Sequence, residues 1–206
     1  MAQFFEIHPD NPQRRLIQQA VAIIDRGGLV IYPTDSSYAL GCHIGDKAAM
    51  ERIQRIRRTD NKHHFTLVCS DLSEIGTYAK VSNSDYRLMK TLTPGPYTFL
   101  LKATSVVPRR LMNPRRKTIG VRVPDNNIVQ ALLTELGQPI MSSTLIPPGA
   151  KQALDDAAEI RTAFEHSVDL VIDGGVCGVE PTTVISLIDG HPEILRHGKG
   201  DISFLE

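Results

Sequence analysis

Segments of helical period alternate with short apolar runs along the whole chain, and this alternation constrains the fold more tightly than any other feature of the sequence. Leu16, Ile17, Ala20, Val21, Ile23 and Ile24 form one helical stripe, which Gly27 and Gly28 end as a C-cap. LVIYP follows as a strand, and DKAAMERIQRIRR returns to helical spacing with Ala49, Ile53 and Ile56 inward. Farther on, HFTLVCS, YTFLLKA, KTIGVRVP, PIMSST and VDLVIDGG read as strands. DLSEIGTYA, SNSDYRLMKTL, NNIVQALLTELG and DDAAEIRTAFEH read as helices among them, and TTVISLI with PEILRHG forms a hairpin. No repeat, low-complexity tract or linker breaks the pattern. It predicts an α/β fold, a single domain over residues 1–206 with a mixed sheet and flanking helices.

With 206 residues the chain can bury a sizeable core. No apolar run approaches the roughly 18 residues of a membrane span. The start, MAQFFEIHPDNPQ, has neither the basic nor the apolar region of a signal peptide. Cys42, Cys69 and Cys177 are odd in number and far apart, which excludes a CxxC knuckle and argues against a disulfide framework. A cytoplasmic protein is expected, with no membrane partner. His63 and His64 are adjacent and point apart in any regular element, so no zinc site is read from them.

The net charge of +0 conceals polarity along the chain. From Tyr86 to Pro124 there are nine basic residues and no acidic one, whereas from Asp125 onward thirteen acids face four bases. Such a distribution predicts a basic surface for an anionic partner. On charge alone, Arg109, Arg110, Arg115, Arg116 and Lys117 are the candidate surface for tRNA or double-stranded RNA. Aromatic residues are only 5% of the chain, which favours recognition of RNA shape over base stacking.

Several strands end in polar or glycine-bearing turns: YPTDSSYALG, TPGPYTFLL, GVRVP, MSSTLIPPG and EPTTV. In open α/β sheets ligands collect at strand ends, where loops aim backbone and hydroxyl groups at one spot. Neither GxxxxGK[ST] nor GxGxxG is present. Arg122 in GVRV lies mid-strand, where an unpaired charge is costly, and a cavity-facing position reading a carboxylate resolves that cost. Gly95, between Pro94 and Pro96, reads as a backbone bend.

Taken in order, YPTDSSYALG, RIQRIRR, TPGPYTFLLK, IGVRVP, PIMSST, PTTVI and EILRHG cover nearly the whole chain. This set resembles the Sua5/YciO/YrdC family of threonylcarbamoyl-AMP synthase-like proteins, and within it the short bacterial YciO branch. The resemblance implies a twisted sheet curved around a large basic cavity. It also implies a reaction in which ATP, L-threonine and bicarbonate give threonylcarbamoyl-adenylate and pyrophosphate, with ATP as substrate and Mg2+ as the divalent cation. In the family the product passes to tRNA-modification partner proteins that act on A37.

By position in these motifs, the resemblance assigns Arg55, Arg57, Lys62, Thr144 and Arg196 to the nucleotide. It assigns Thr34, Arg122, Ser143 and Thr182 to threonine. Guanidinium groups suit phosphate and carboxylate because they pair in bidentate fashion and stay charged. Adenylation of this kind rests on positioning and charge neutralisation, so no covalent protein nucleophile is expected. Asp35 either holds the substrate ammonium or caps its turn.

Two positions depart from the family pattern. The first basic position of the helix motif, a Lys in the synthases, is Arg55 here, and the later Lys could fall at Asn61, Lys62 or His63. The usual Ser-x-Asn reads Thr144-Leu145-Ile146, and Ile146 can neither donate nor accept a side-chain hydrogen bond. Two classes therefore stand side by side. One is a synthase of reduced rate; the other is a non-catalytic RNA-binding protein that keeps the fold and the basic groove.

Overall fold

A computed structural model describes residues 1–58 and 65–203. The elements run in chain order as β1 (Gln3–Glu6), α1 (Arg14–Asp25), β2 (Val30–Tyr32), β3 (Ala39–His43), α2 (Lys47–Arg57) and β4 (Thr66–Val68). They continue as α3 (Leu72–Tyr78), β5 (Ala79–Lys80), α4 (Asn83–Leu92), β6 (Tyr97–Ala103), β7 (Thr118–Arg122) and α5 (Asn127–Leu136). The last are β8 (Ile140–Thr144), α6 (Ala157–Phe164), β9 (Leu170–Asp173), β10 (Thr183–Ser186) and β11 (Glu193–Arg196). All strands join one mixed sheet in the order β1-β9-β2-β3-β8-β4-β7-β6-β10-β11, with β5 paired to β6 off this path.

The helix ends follow local chemistry. Asp46, Asp71, Ser82, Asn126 and Asp156 each accept backbone N–H groups at the start of α2 to α6, and Ser82 with Asp85 completes a capping box. Helix α1 stops as its glycines predict: Gly27, at φ 82°, donates its N–H to Ile24 O. The TPGP bend also forms. The Gly95 N–H donates to Val123 O at 2.9 Å, and a Cβ at Gly95 would sit 2.7 Å from Leu92 O.

Three strands fall outside the sequence expectation, one of them the two-residue β5, which pairs with β6 where the end of a helix was expected. QFFE is too short to show alternation, yet it closes one edge as β1 beside β9. ALGCH becomes β3, antiparallel to both β2 and β8. The hairpin of β10 and β11 is present, with a register shift at Val184/Ile185.

Strand side chains alternate between faces, and the two faces are covered differently. Leu40, Leu67, Phe99, Leu101, Ile119, Val121, Met141 and Ile185 point to one side. There they pack with Ile53 of α2, Ile75 of α3, Met89 of α4 and Ile160 of α6. On the other side α1 and α5 cover Val30, Tyr32, Ala39, Val68, Ile140, Leu170 and Ile172. That second layer stops partway along the sheet. Beyond it the alternate residues Thr66, Thr98, Leu100, Gly120, Arg122, Ser142, Thr144 and Val184 line an open cavity.

The three cysteines are free thiols. Among the described residues no helix is long and apolar enough to cross a membrane.

Candidate functional site

The cavity holds about 350 Å³, within the range of small-molecule sites. Strand register builds its floor: Ser142 pairs with Thr66, Thr66 with Gly120, and Gly120 with Leu100. At Gly120 an added Cβ would lie 3.2 Å from Thr66 Oγ1 and 3.4 Å from Thr98 Cγ2, so the missing side chain leaves the floor open. Phe65, Leu100, Ile146, Val184 and Leu195 supply an apolar wall.

Three guanidinium groups complete the lining. Arg57 is the last residue of α2, and its Nη1 donates to Ser143 Oγ at 2.7 Å and to the Thr144 carbonyl. Arg196, at the end of β11, donates Nε to Thr182 O at 3.0 Å and Nη2 to Thr182 Oγ1 at 3.0 Å. Thr182 Oγ1 in turn meets Thr98 Oγ1 at 2.8 Å. Arg122 is 8% exposed and forms an ion pair with the equally enclosed Asp35. Neither Arg57 nor Arg196 has a carboxylate partner among the described residues. Burial lowers the pKa of Arg57, and burial together with the charge of Arg122 lowers that of Arg196. The Nε donors of Arg57 and Arg122 are buried with no acceptor among the described residues. An unmet buried donor costs about 1–3 kcal/mol, and a bound anion that draws the guanidinium round would relieve it.

Of the residues assigned from sequence, Arg57, Arg122, Ser143, Thr144, Thr182 and Arg196 come together in this wall. Arg55 does not. It is exposed, with Nε on the Glu51 carbonyl at 3.4 Å, because residues two apart on a helix point in nearly opposite directions. Lys62, with Asn61 and His63, lies outside the described residues.

Thr34, assigned by the resemblance to threonine, does not line this cavity. Its buried hydroxyl donates to Ser37 O at 2.6 Å and accepts the N–H groups of Ser36 and Ser37, both at 3.2 Å. The hydroxyl builds a turn, and Thr34 lines a different, shallow cavity with Pro33, Cys177 and Lys199. Thr34→Val is expected to lower stability by about 1–3 kcal/mol by stranding those N–H groups. An unchanged urea midpoint would show the hydroxyl to be dispensable for the turn.

Sequence reasoning missed Thr66, Thr98, Gly120 and Ser142. The signal was present as period-two alternation: in YTFLLK, Phe99 and Leu101 enter the core, so Thr98 and Leu100 must face the other way.

The basic span divides. Arg122 belongs to the cavity, while Arg109, Arg110, Arg115, Arg116 and Lys117 are exposed in the β6–β7 connection, at the opposite end of those strands. There Arg110 donates to Gly45 O, and Asn113 Oδ1 holds the backbone N–H groups of Arg115 and Arg116. Among the described residues no group of three His, Cys, Asp or Glu side chains is placed to hold a metal.

Comparison with known proteins places this geometry. The family model Sua5_yciO_yrdC, described as telomere recombination, matches residues 22–198. The "uncharacterized protein YciO" of Escherichia coli K12 is 57% identical over 202 residues, spanning 98% of each chain. Its crystal structure superposes with a TM-score of 0.95 over 98% of both chains. A threonylcarbamoyl-AMP synthase of Chromohalobacter salexigens is 31% identical over 182 residues, 87% of this chain and 96% of the relative. Sua5 of P. abyssi, crystallised with L-threonine, gives a TM-score of 0.84 at 26% identity over 95% of this chain and 57% of that one.

Proposed function

The chain belongs to the Sua5/YciO/YrdC family, and on that premise we propose that it is a nucleotidyltransferase of the threonylcarbamoyl-AMP synthase type. ATP, L-threonine and bicarbonate are its substrates. The threonine amine and bicarbonate form a carbamate with loss of water. A carbamate oxygen then bonds to the α-phosphorus of ATP, the α–β P–O bond breaks, and pyrophosphate leaves. Partner proteins would pass the threonylcarbamoyl group to tRNA A37. Since the described residues offer no metal-binding cluster, Mg2+ would enter bound to the triphosphate.

The observation that carries this reading is the pair Arg57 and Arg196. Both are guanidinium groups in a cavity wall, without carboxylate partners among the described residues. Such a pair suits the charge of a triphosphate and the further charge that builds as pyrophosphate departs. Arg122 suits the threonine carboxylate, and the hydroxyls of Ser143, Thr144 and Thr182 suit its remaining polar groups and the carbamate.

The test is incubation with ATP, bicarbonate and labelled threonine, followed by detection of threonylcarbamoyl-adenylate. Arg57→Ala is expected to weaken ATP binding about tenfold or more, the loss of one charge-assisted contact, while Arg55→Ala leaves it unchanged. Absence of product together with wild-type ATP affinity in Arg57→Ala would overturn the assignment.

A second reading, binding of tRNA or double-stranded RNA without catalysis, is favoured by the five exposed cations between β6 and β7. Phosphate contacts of this kind bring salt dependence through counterion release. Replacing Arg109, Arg110, Arg115 and Arg116 with Ser is expected to flatten the salt slope of RNA binding and to spare adenylation, because these residues lie away from the cavity. An unchanged slope in filter binding across potassium chloride concentrations would exclude this surface.

A further inference from the structure

Asp35 is tied from three directions. Its carboxylate meets Arg122 Nη2 on one oxygen and accepts the Asp125 N–H on the other at 2.8 Å. Its backbone carbonyl accepts Lys199 Nζ at 2.5 Å. The turn that presents it is fixed by the Thr34 hydroxyl. Among the described residues Arg122 has little else: Nη1 reaches Ser36 Oγ only at 3.4 Å, and Nε has no acceptor.

Resting on the reading of Arg122 as the group that receives the amino-acid carboxylate, we propose that Asp35 sets the ligand charge accepted at that end of the cavity. The Arg122–Asp35 pair presents oriented donors while its own net charge is close to zero. It favours a carboxylate on a zwitterion over a multiply charged phosphate. Arg57 and Arg196, without such a partner among the described residues, keep their charge for phosphate. A bare Arg122 in the same wall would make a third phosphate contact, and pyrophosphate or free phosphate would occupy the place of threonine. Asp35 is therefore a positioning and specificity residue that acts through Arg122.

The test is calorimetry on the full chain with L-threonine, orthophosphate and pyrophosphate as probes. Orthophosphate is expected to leave threonine binding to the wild type nearly untouched. In Asp35→Asn it should compete with threonine, with affinity raised about tenfold or more by the charge-assisted contact now open on Arg122. Because Asp35→Asn leaves a buried cation unpaired and endangers folding, Asp35→Asn/Arg122→Gln serves as the uncharged counterpart. The double variant should lose threonine binding yet keep pyrophosphate affinity within about twofold, since one neutral pair replaces another. A parallel fall in pyrophosphate affinity, or no gain of phosphate competition in a folded Asp35→Asn protein, would overturn the proposal. These are binding measurements, so they decide the role of Asp35 even where no adenylate forms, and the adenylate assay decides the reaction separately.

Discussion

Replacing Ile146 with Asn is expected to raise the rate of adenylate formation by roughly 30- to 1000-fold. Ile146 lines the cavity two residues beyond Thr144, the end of β8, and its N–H donates to Thr144 O at 3.1 Å. An isoleucine there excludes water but offers nothing to charge building on the α-phosphate. The resemblance to the synthases implies an Asn at this position. One well-aimed donor to a developing oxyanion contributes about 2–4 kcal/mol to the transition state, which is the source of the range. The substitution should be tolerated, because Ile146 also borders a second cavity with Lys151, Gln152 and Glu180 and is not sealed in the core. Pyrophosphate release that depends on threonine and bicarbonate is the measurement. A rate unchanged from wild type would show that this position does not face the reacting phosphorus.

Gly120→Leu is expected to abolish binding of both ATP and threonine while leaving a folded protein. Gly120 lies in the cavity floor, and a Cβ fits there with small adjustments against Thr66 and Thr98. The rest of a leucine would rise into the space between Arg57, Arg122 and Arg196. Overpacking at such a site costs about 1–3 kcal/mol, less than the fold as a whole supplies. Calorimetry with each substrate beside a urea melt separates the two effects. Binding that survives in Gly120→Leu would put the ligands elsewhere.

The fold was readable wherever a segment was long enough to show its period. The stripe of α1, the glycine caps and the β10–β11 hairpin all follow from spacing. Strand β3 was hidden because the turn before it carries five oxygen-bearing side chains, and the eye reads polarity as loop. Those oxygens are explained by the turn itself: Thr34 bonds inward, and Asp35 reaches Arg122. Within the site the motif register gave Arg57, Arg122, Thr182 and Arg196. It could not separate Arg55 from Arg57, because a motif is linear and a helix is not. Nor could charge counting separate Arg122 from the surface cations of its span, since that division depends on which end of β7 each residue occupies.

The same alternation that builds the floor also divides the chain's mutational freedom. On β6, β7 and β8 the inward residues Phe99, Val121 and Met141 hold the fold, and their neighbours Thr98, Gly120 and Ser142 shape the ligand space. A change at one set leaves the other in place. Ligand preference and rate can then drift over evolutionary time with little loss of thermodynamic stability, so a lineage can exchange a polar catalytic residue for an isoleucine without passing through an unfolded ancestor.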